Sequence, residues 1–422
     1  MNRFATRPHR SWRALLWAPL GLLSACYAPG GPTPDNRPPT VSAGGDRTVT
    51  LPADGVLLAG RAADPDGDPL TALWAQLAGP AEVTFADASA LETSARFPEA
   101  GAYTLELSVT DGQASARDQA VITVEPGAGG AGAWRALPES AAPRQEVSYV
   151  QLGGRFYLAG GSTLHEVYDP VARTWTEVAP LPRNLDHIQG VAVGGKILYI
   201  GGNVGGDLRV ETDTVYIYDP ETDTFTEGSP MPRGRGAGGV AVHDGLIYYA
   251  GGLNGFVART WFDVYDPVAD TWTALPDMPN PRDHFHAVVL DGVFYAIGGR
   301  EARINATTPA VDAFDIASGT WTTLDTELPT ERGGFAAAVL GDEILVIGGE
   351  GGGNTYEEVE AYNPRTNTWR RLAPMPTPRH GVQAAVCNGG VYLAAGGVVQ
   401  GIGPSSAHEV FFVGEPRPCE AP

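Results

Sequence analysis

Six glycine doublets, each closing a short apolar run, punctuate the second part of this 422-residue chain: Gly160-Gly161, Gly201-Gly202, Gly251-Gly252, Gly298-Gly299, Gly348-Gly349 and Gly396-Gly397. Downstream of the first five stands an aromatic residue in a small polar run (Trp175, Phe225, Trp272, Trp321 and Trp369), after a turn such as Tyr168-Asp169-Pro170. Self-similarity at about 50 residues means equal supersecondary units set side by side. Each unit holds four short β runs, as in HAVVL, VFYAIGG, AVDAFD and TWTTL of the fourth. One such sheet has two apolar faces and cannot bury both alone, whereas sheets stacked face to face around an axis bury each other. The glycines let the backbone turn where a side chain would collide.

Counting the units predicts how the ring closes. The sixth runs from VQAAVCNGGVYLAAGG to HEVFFVG and stops without its tryptophan. The missing strand is written first, as AWRALP, Ala133 to Pro138. Trp134 precedes Gly160 by 26 residues, the interval that also separates Trp175 from Gly201, Phe225 from Gly251 and Trp272 from Gly298. Ala133–Pro138 is therefore expected to pair with Glu409–Val413. Units with a doublet and a tryptophan at this period resemble kelch repeats from about Ala133 to Gly414, which implies a six-bladed β-propeller.

The segment 40–126 alternates apolar and polar residues over short runs, the signature of a two-sheet sandwich. Tyr103, Leu105, Leu107 and Val109 share one strand face, with Thr104, Glu106 and Ser108 on the other. PPTVSAGGD, DPDGDPLTALW, GAYTLELSVTDG and the closing ITV resemble a PKD-type immunoglobulin-like domain, which implies a spacer or accessory binder. The expected fold is all-β, a PKD-like β-sandwich and then a six-bladed kelch β-propeller, joined by a Gly/Ala linker at 127–132. Asp64, Asp66 and Asp68 fall in one turn. They read either as a Ca²⁺ site, the one cofactor the sequence offers, or as plain turn chemistry.

Arg3, Arg7, Arg10 and Arg13 precede the apolar run Ala14–Leu23, too short to span a bilayer, so residues 1–25 read as a secretory signal. Leu23-Ser24-Ala25-Cys26 resembles the bacterial lipobox, which implies lipidation of Cys26, with 26–39 as a Pro/Gly-rich tether. This predicts an exported protein anchored to the cell envelope, at the outer membrane or cell surface, and acting as a monomer. The formal charge of −21 argues against a nucleic-acid partner. Cys387 and Cys419, the latter in the tail 415–422, either form a disulfide or stay as two thiols.

An arginine stands where each unit begins: Arg144, Arg183, Arg235 (with Arg233), Arg282, Arg332 and Arg379. As function, a ring of guanidinium groups suits an anionic ligand. As architecture, a residue present in every unit pairs with neighbouring acids or carbonyls. The loops after the doublets differ, and offer Phe256, Arg259, Trp261, Arg300, Arg303, Asn305 and Tyr356 as recognition residues. Two enzyme readings follow from resemblance. A galactose-oxidase-like copper enzyme needs two His, two Tyr and a Cys beside one Tyr, and the histidines here are scattered. His284 and His286 share a predicted strand face with no third ligand in view. A sialic-acid-mutarotase-like enzyme would use the arginines with an axial carboxylate, for which Glu331 is at hand. The expected function is non-catalytic recognition of a protein or glycan by the propeller's loop face. A small-molecule enzyme on an anionic sugar is the alternative.

Overall fold

The computed structural model describes residues 36–50, 53–97, 101–125, 131–206, 210–414 and 419. The signal segment, Cys26, the first ten residues of the tether and most of the linker and tail lie outside the described residues. The chain divides into two compact units, Met1–Glu125 and Pro126–Pro422.

In the first unit, Arg47–Thr50, Thr71–Ala78, Gly101–Thr110 and Ser115–Glu125 form one sheet, and Ala53–Ala59, Thr84–Phe85 and Glu92–Phe97 the other. Tyr103, Leu105, Leu107 and Val109 are all buried against Trp74 and Phe97, as the alternation requires. The aspartate turn is self-contained. Asp64 Oδ1 accepts the amides of Asp66 (2.7 Å) and Asp68 (3.1 Å), and Asp66 pairs with Arg37 at 2.6 Å. The three carboxylates therefore do not converge as Ca²⁺ ligands, and Asn36 and Arg37, counted with the tether, are tied to the sandwich.

Among the described residues the second unit is built on six four-stranded antiparallel sheets, with four two-stranded ladders beside them. Each blade's inner three strands are largely buried on both sides, because each sheet lies between two others. In the first blade Val147–Leu152 and Arg155–Gly160 are almost wholly buried, while the outer Thr174–Glu177 is mostly exposed. Asp169 Oδ1 accepts the amides of Val171 and Ala172, which makes the Tyr-Asp-Pro turn, and Asp266 does the same for Val268 and Ala269.

Ala133–Ala136 is the outer strand of the sixth blade, paired with His408–Phe412 in a register that sets Trp134 opposite Phe411. Its indole Nε1–H reaches back to the carbonyl of Ala373 behind the fifth blade. Trp175, Trp272 and Trp321 make the same bond to Pro138, Ser229 and Pro276 of the blade before each.

The doublets stitch blades together. Their amides donate to the next blade's entry segment: Gly202 to Arg235 O, Gly252 to Arg282 O, Gly299 to Arg332 O, Gly349 to Arg379 O and Gly396 to Arg144 O. A Cβ on Gly201 would lie 2.3 Å from Arg235 O, which excludes any side chain there. In the sixth blade the register differs by one residue, and Ala395, at φ 63°, fills the first glycine's place.

Candidate functional site

The entry arginines are structural. Arg144, Arg235, Arg282, Arg332 and Arg379 are buried to 3% exposure or less. Each forms an ion pair with an acid on the third strand of its own blade: Glu166, Asp263, Asp312, Glu360 and Glu409 respectively. In four blades the guanidinium also donates to a second-strand carbonyl, of Tyr249, Ala296, Val346 or Leu393. Burying a charge requires a partner of opposite sign, and each guanidinium has one, although among these five only Arg332 also has its Nε–H engaged, by Gly348 O. The ligand-ring expectation is therefore corrected for these five: their guanidinium groups are spent on the blades, and of the five Arg144 alone is among the residues lining the basin described below.

Arg183 is a different correction, because it is exposed and two residues early. Its blade carries Leu185 in the arginine slot and Tyr216 in the acid slot, so the second blade has lost both halves of the pair together. Glu331 is also exposed and lines neither the basin nor the void described below.

Two residues beyond each arginine slot the chain turns through the left-handed region and reaches the axis. Glu146, His187, Ala237, His284, Gly334 and Gly381 occupy this position, with φ between 49° and 64°. Their backbones close a ring: His187 N–H donates to Glu146 O, Ala237 to His187, His284 to Ala237, Gly334 to His284, Gly381 to Gly334, and Val147 to Gly381, at 2.6–3.1 Å. Six equivalent backbone positions thus bring one glutamate, two histidines, one alanine and two glycines to one point. Ala237 is small enough for His187 and His284 to meet across it, ring centroids 4.7 Å apart. The Gly381 position favours glycine, because its φ is 62° and a Cβ would lie 2.9 Å from the backbone nitrogen of Glu146.

Each axial histidine is oriented by the aspartate before it: His187 Nδ1 lies 2.5 Å from Asp186 and His284 Nδ1 2.5 Å from Asp283. His187 Nε2 lies 3.4 Å from Glu146 Oε2, and the other Glu146 oxygen lies 3.3 Å from His380 Nδ1. Burial pushes the Glu146 carboxyl up, but His187 and His380 outweigh this and hold it well below the usual carboxylate range. Burial depresses His187 and His380, yet their carboxylate neighbours raise both above the ordinary value. Burial and Arg300 together push His284 down. His286 does not share a strand face with His284. It lines a small void beneath the ring, where burial takes it down to about 4.

Above the ring, on the face carrying the variable loops, opens a basin of about 530 Å³. Glu146, His187 and His284 form its floor, and Arg300, Glu350 and Phe256 belong to its walls. Arg300 is buried between Asp283 and Glu350, at 3.4 and 2.5 Å, and Glu350 also accepts the amide of Gly401. The loop candidates divide. Phe256 is half-exposed at the basin's edge. Trp261 is occupied by Arg233, Arg259 and Arg235, 4.5, 4.8 and 5.8 Å from its ring, and Arg259 donates to Asn254. Tyr356 covers Gly351, Asn305 accepts from Gln400 at 2.7 Å, and Arg303 is exposed.

The copper-oxidase reading lacks its residues. Among the described residues no tyrosine lines the basin or the void, and Cys387 is joined to Cys419 by a disulfide (Cα–Cα 5.6 Å).

Six stacked blades around a polar axial site define a six-bladed β-propeller with an open loop face. Family models add the particulars. The KLHDC2/KLHL20/DRC7 Kelch-repeats domain matches residues 240–408, the Kelch motif 189–232, and a PKD domain model 43–124. The chain is a kelch-repeat β-propeller protein with an N-terminal PKD domain. It is similar to "Kelch-like protein terF" of Aspergillus terreus, 35% identical over 303 residues, covering 64% of this chain and 66% of that protein. "Kelch-like protein 21" of Rattus norvegicus is 36% identical over 86 residues, covering 20% of this chain and 14% of that protein. "Kelch-like ECH-associated protein 1B" of Danio rerio is 32% identical over 90 residues, with 20% and 15% covered. The chain thus spans about two thirds of the first relative's length and about a seventh of the other two. The solved chain titled "Structure of YjhT" superposes with a TM-score of 0.58 at 18% identity, covering 65% of this chain and 96% of that one, and so shares the fold.

Proposed function

We propose that the propeller is a protein-recognition module, exported and lipid-anchored through Cys26, with the PKD domain as spacer. The observation that carries this is an apolar rim beside a polar basin. Phe256 and Val257 at one loop tip and Val399 and Ile402 at another are 50, 48, 56 and 65% exposed. Phe256 also sits at φ 59°, next to Gly255 at the same φ, in a turn where a bulky residue is strained. Exposed apolar side chains on two loop tips beside a pocket with buried polar groups, of which Phe256 lines the pocket itself, match the anatomy of protein interfaces, in which a few anchors carry the affinity. The disulfide supports export, since such bonds persist in oxidising compartments. Relatives sharing the repeat carry kelch names, one of them given for association with another protein. The anionic-sugar enzyme is the weaker reading, because five of its arginines are neutralised in the blades, and of the two arginines that line the basin Arg144 is paired with Glu166 and Arg300 is held by two acids.

Selection of displayed peptides against the full chain, beside a glycan array, tests this. Selected peptides should lose roughly 30-fold or more in affinity with Phe256→Ala or Ile402→Asp, the effect of removing a hot spot worth about 2 kcal/mol. Glycan hits abolished by the same substitutions, with no peptide selected, would overturn the protein reading.

A further inference from the structure

We infer that the floor of the basin is a binding site for one divalent first-row transition-metal ion, held by Glu146, His187 and His284 with a coordination position open to the basin. The inference stands independently of the protein-recognition reading.

Three observations converge. Glu146, His187 and His284 come from the first, second and fourth blades, 41 and 97 residues apart in consecutive steps along the chain, yet their ligand atoms all lie within 4.8 Å of one another. Both imidazoles are already disposed as ligands. Asp186 and Asp283 each engage Nδ1, which holds a proton there and makes Nε2 the atom that would give up its proton, where it carries one, and bind an ion; for His187 that atom faces Glu146. A carboxylate on the far nitrogen is the usual support of a metal-bound histidine, setting its tautomer and raising its basicity. Nε2 of His284 has no hydrogen-bond partner among the described residues.

The spacing fits an ion as well. Two ligands about 2.1 Å from a tetrahedral centre stand roughly 3.4 Å apart. His187 Nε2 and Glu146 Oε2 are separated by 3.4 Å. The same three residues line the basin above and the void below, so an ion among them would plug the axis and face the basin. Two imidazoles and one carboxylate are the donors of open Zn²⁺ and Fe²⁺ sites, in which a water or an exogenous donor completes the shell. The ring builds this constellation by contrast. Ala237, Gly334 and Gly381 leave room where the other three reach inward, and Glu350 with Arg300 closes the wall above.

The test uses the full chain, purified without a polyhistidine tag and stripped with a chelator. Zn²⁺ is titrated by calorimetry, and Co²⁺ by its visible ligand-field bands. One ion per chain is expected. Glu146→Gln and His284→Ala should abolish it while the metal-free variants still unfold in one cooperative thermal transition, whereas His243→Ala, at a partly buried position that lines neither the basin nor the void, should leave it intact. Asp283→Asn should weaken it about 10- to 100-fold, the usual effect of removing a histidine's supporting carboxylate. Azide or acetohydroxamate should change the Co²⁺ spectrum by entering the open position. Wild-type chain that takes up no ion, or variants that bind as wild type, would overturn the site. Should the variants not fold, ¹⁵N-histidine spectra of the wild type decide. Zn²⁺ must shift the Nε2 resonances of His187 and His284, and a shift confined to other histidines contradicts the assignment.

Discussion

Two sets of charged groups lie within a few residues of each other along the blades and are used in opposite ways. The entry arginines and their acids are sealed between strands. Arg332, for example, is engaged by Thr330 O, Val346 O, Gly348 O and Glu360. Glu146, His187 and His284, two residues beyond the same slot, are oriented on one side and open on the other. The second blade sharpens the difference, because it replaces the sealed pair by Leu185 and Tyr216 and yet supplies His187 to the axis. The pair serves the blade and the axial residue serves the site, and the two vary independently.

Breaking the ring itself has the largest expected effect. Deleting Ala133–Pro138 removes a strand ladder and the packing of Trp134 on Phe411, and should cost about 5 kcal/mol or more, read by denaturant unfolding. An unchanged midpoint would refute closure by this strand.

The sealed pair comes next. Asp312→Ala strands the Arg282 charge in the blade and should cost about 3–5 kcal/mol. Arg282→Leu with Asp312→Tyr, which copies the second blade, should recover at least half of that loss, since an apolar replacement of a buried pair is often neutral. By contrast, Glu146→Gln and His284→Ala should stay within about 1 kcal/mol of wild type. If the axial substitutions destabilise as much as Asp312→Ala, the distinction between the two sets fails.

A smaller effect separates two further histidines. His165 and His408 start the third strands of the first and sixth blades. Each accepts from a tyrosine of the next blade at 2.9 Å (Tyr199 and Tyr149) and lies 3.0 Å from a carbonyl through Nδ1. Burial holds them neutral, down to about 4 and about 3. Their folded values lie below the unfolded 6.5, so unfolding takes up protons between the two. Their contribution is complete above pH 6.5 and is lost as pH falls toward 4. Replacing each histidine and its tyrosine by phenylalanine should flatten the pH dependence of stability there, by roughly 1.4 kcal/mol per pH unit for each histidine removed. An unaltered slope would mean that neither histidine is held neutral.

The architecture was legible because its signal is periodic: doublet, turn and tryptophan recur at one spacing, and the absence of one tryptophan located the closing strand. The acids were harder to read, since each lies 22 to 30 residues from its arginine. The readable clue was co-loss: Arg and acid stand in units one, three, four, five and six, and both are missing in unit two. The axial cluster escapes any reading by local spacing, which pairs His284 with His286 instead. What joins His284 to His187 is an equivalent position in two repeats, and the matching Asp-His dipeptides at 186–187 and 283–284 carried that signal. Loop contacts such as Gln400 to Asn305 had no signal, because hairpin trajectories follow no period.

The most direct measurement is an anomalous difference map from crystals of the full chain grown with Zn²⁺. A peak about 2.0–2.2 Å from Nε2 of His187 and of His284 and from a Glu146 oxygen is the predicted result. Zinc bound only at surface or lattice positions, with the two imidazoles unliganded, would contradict it.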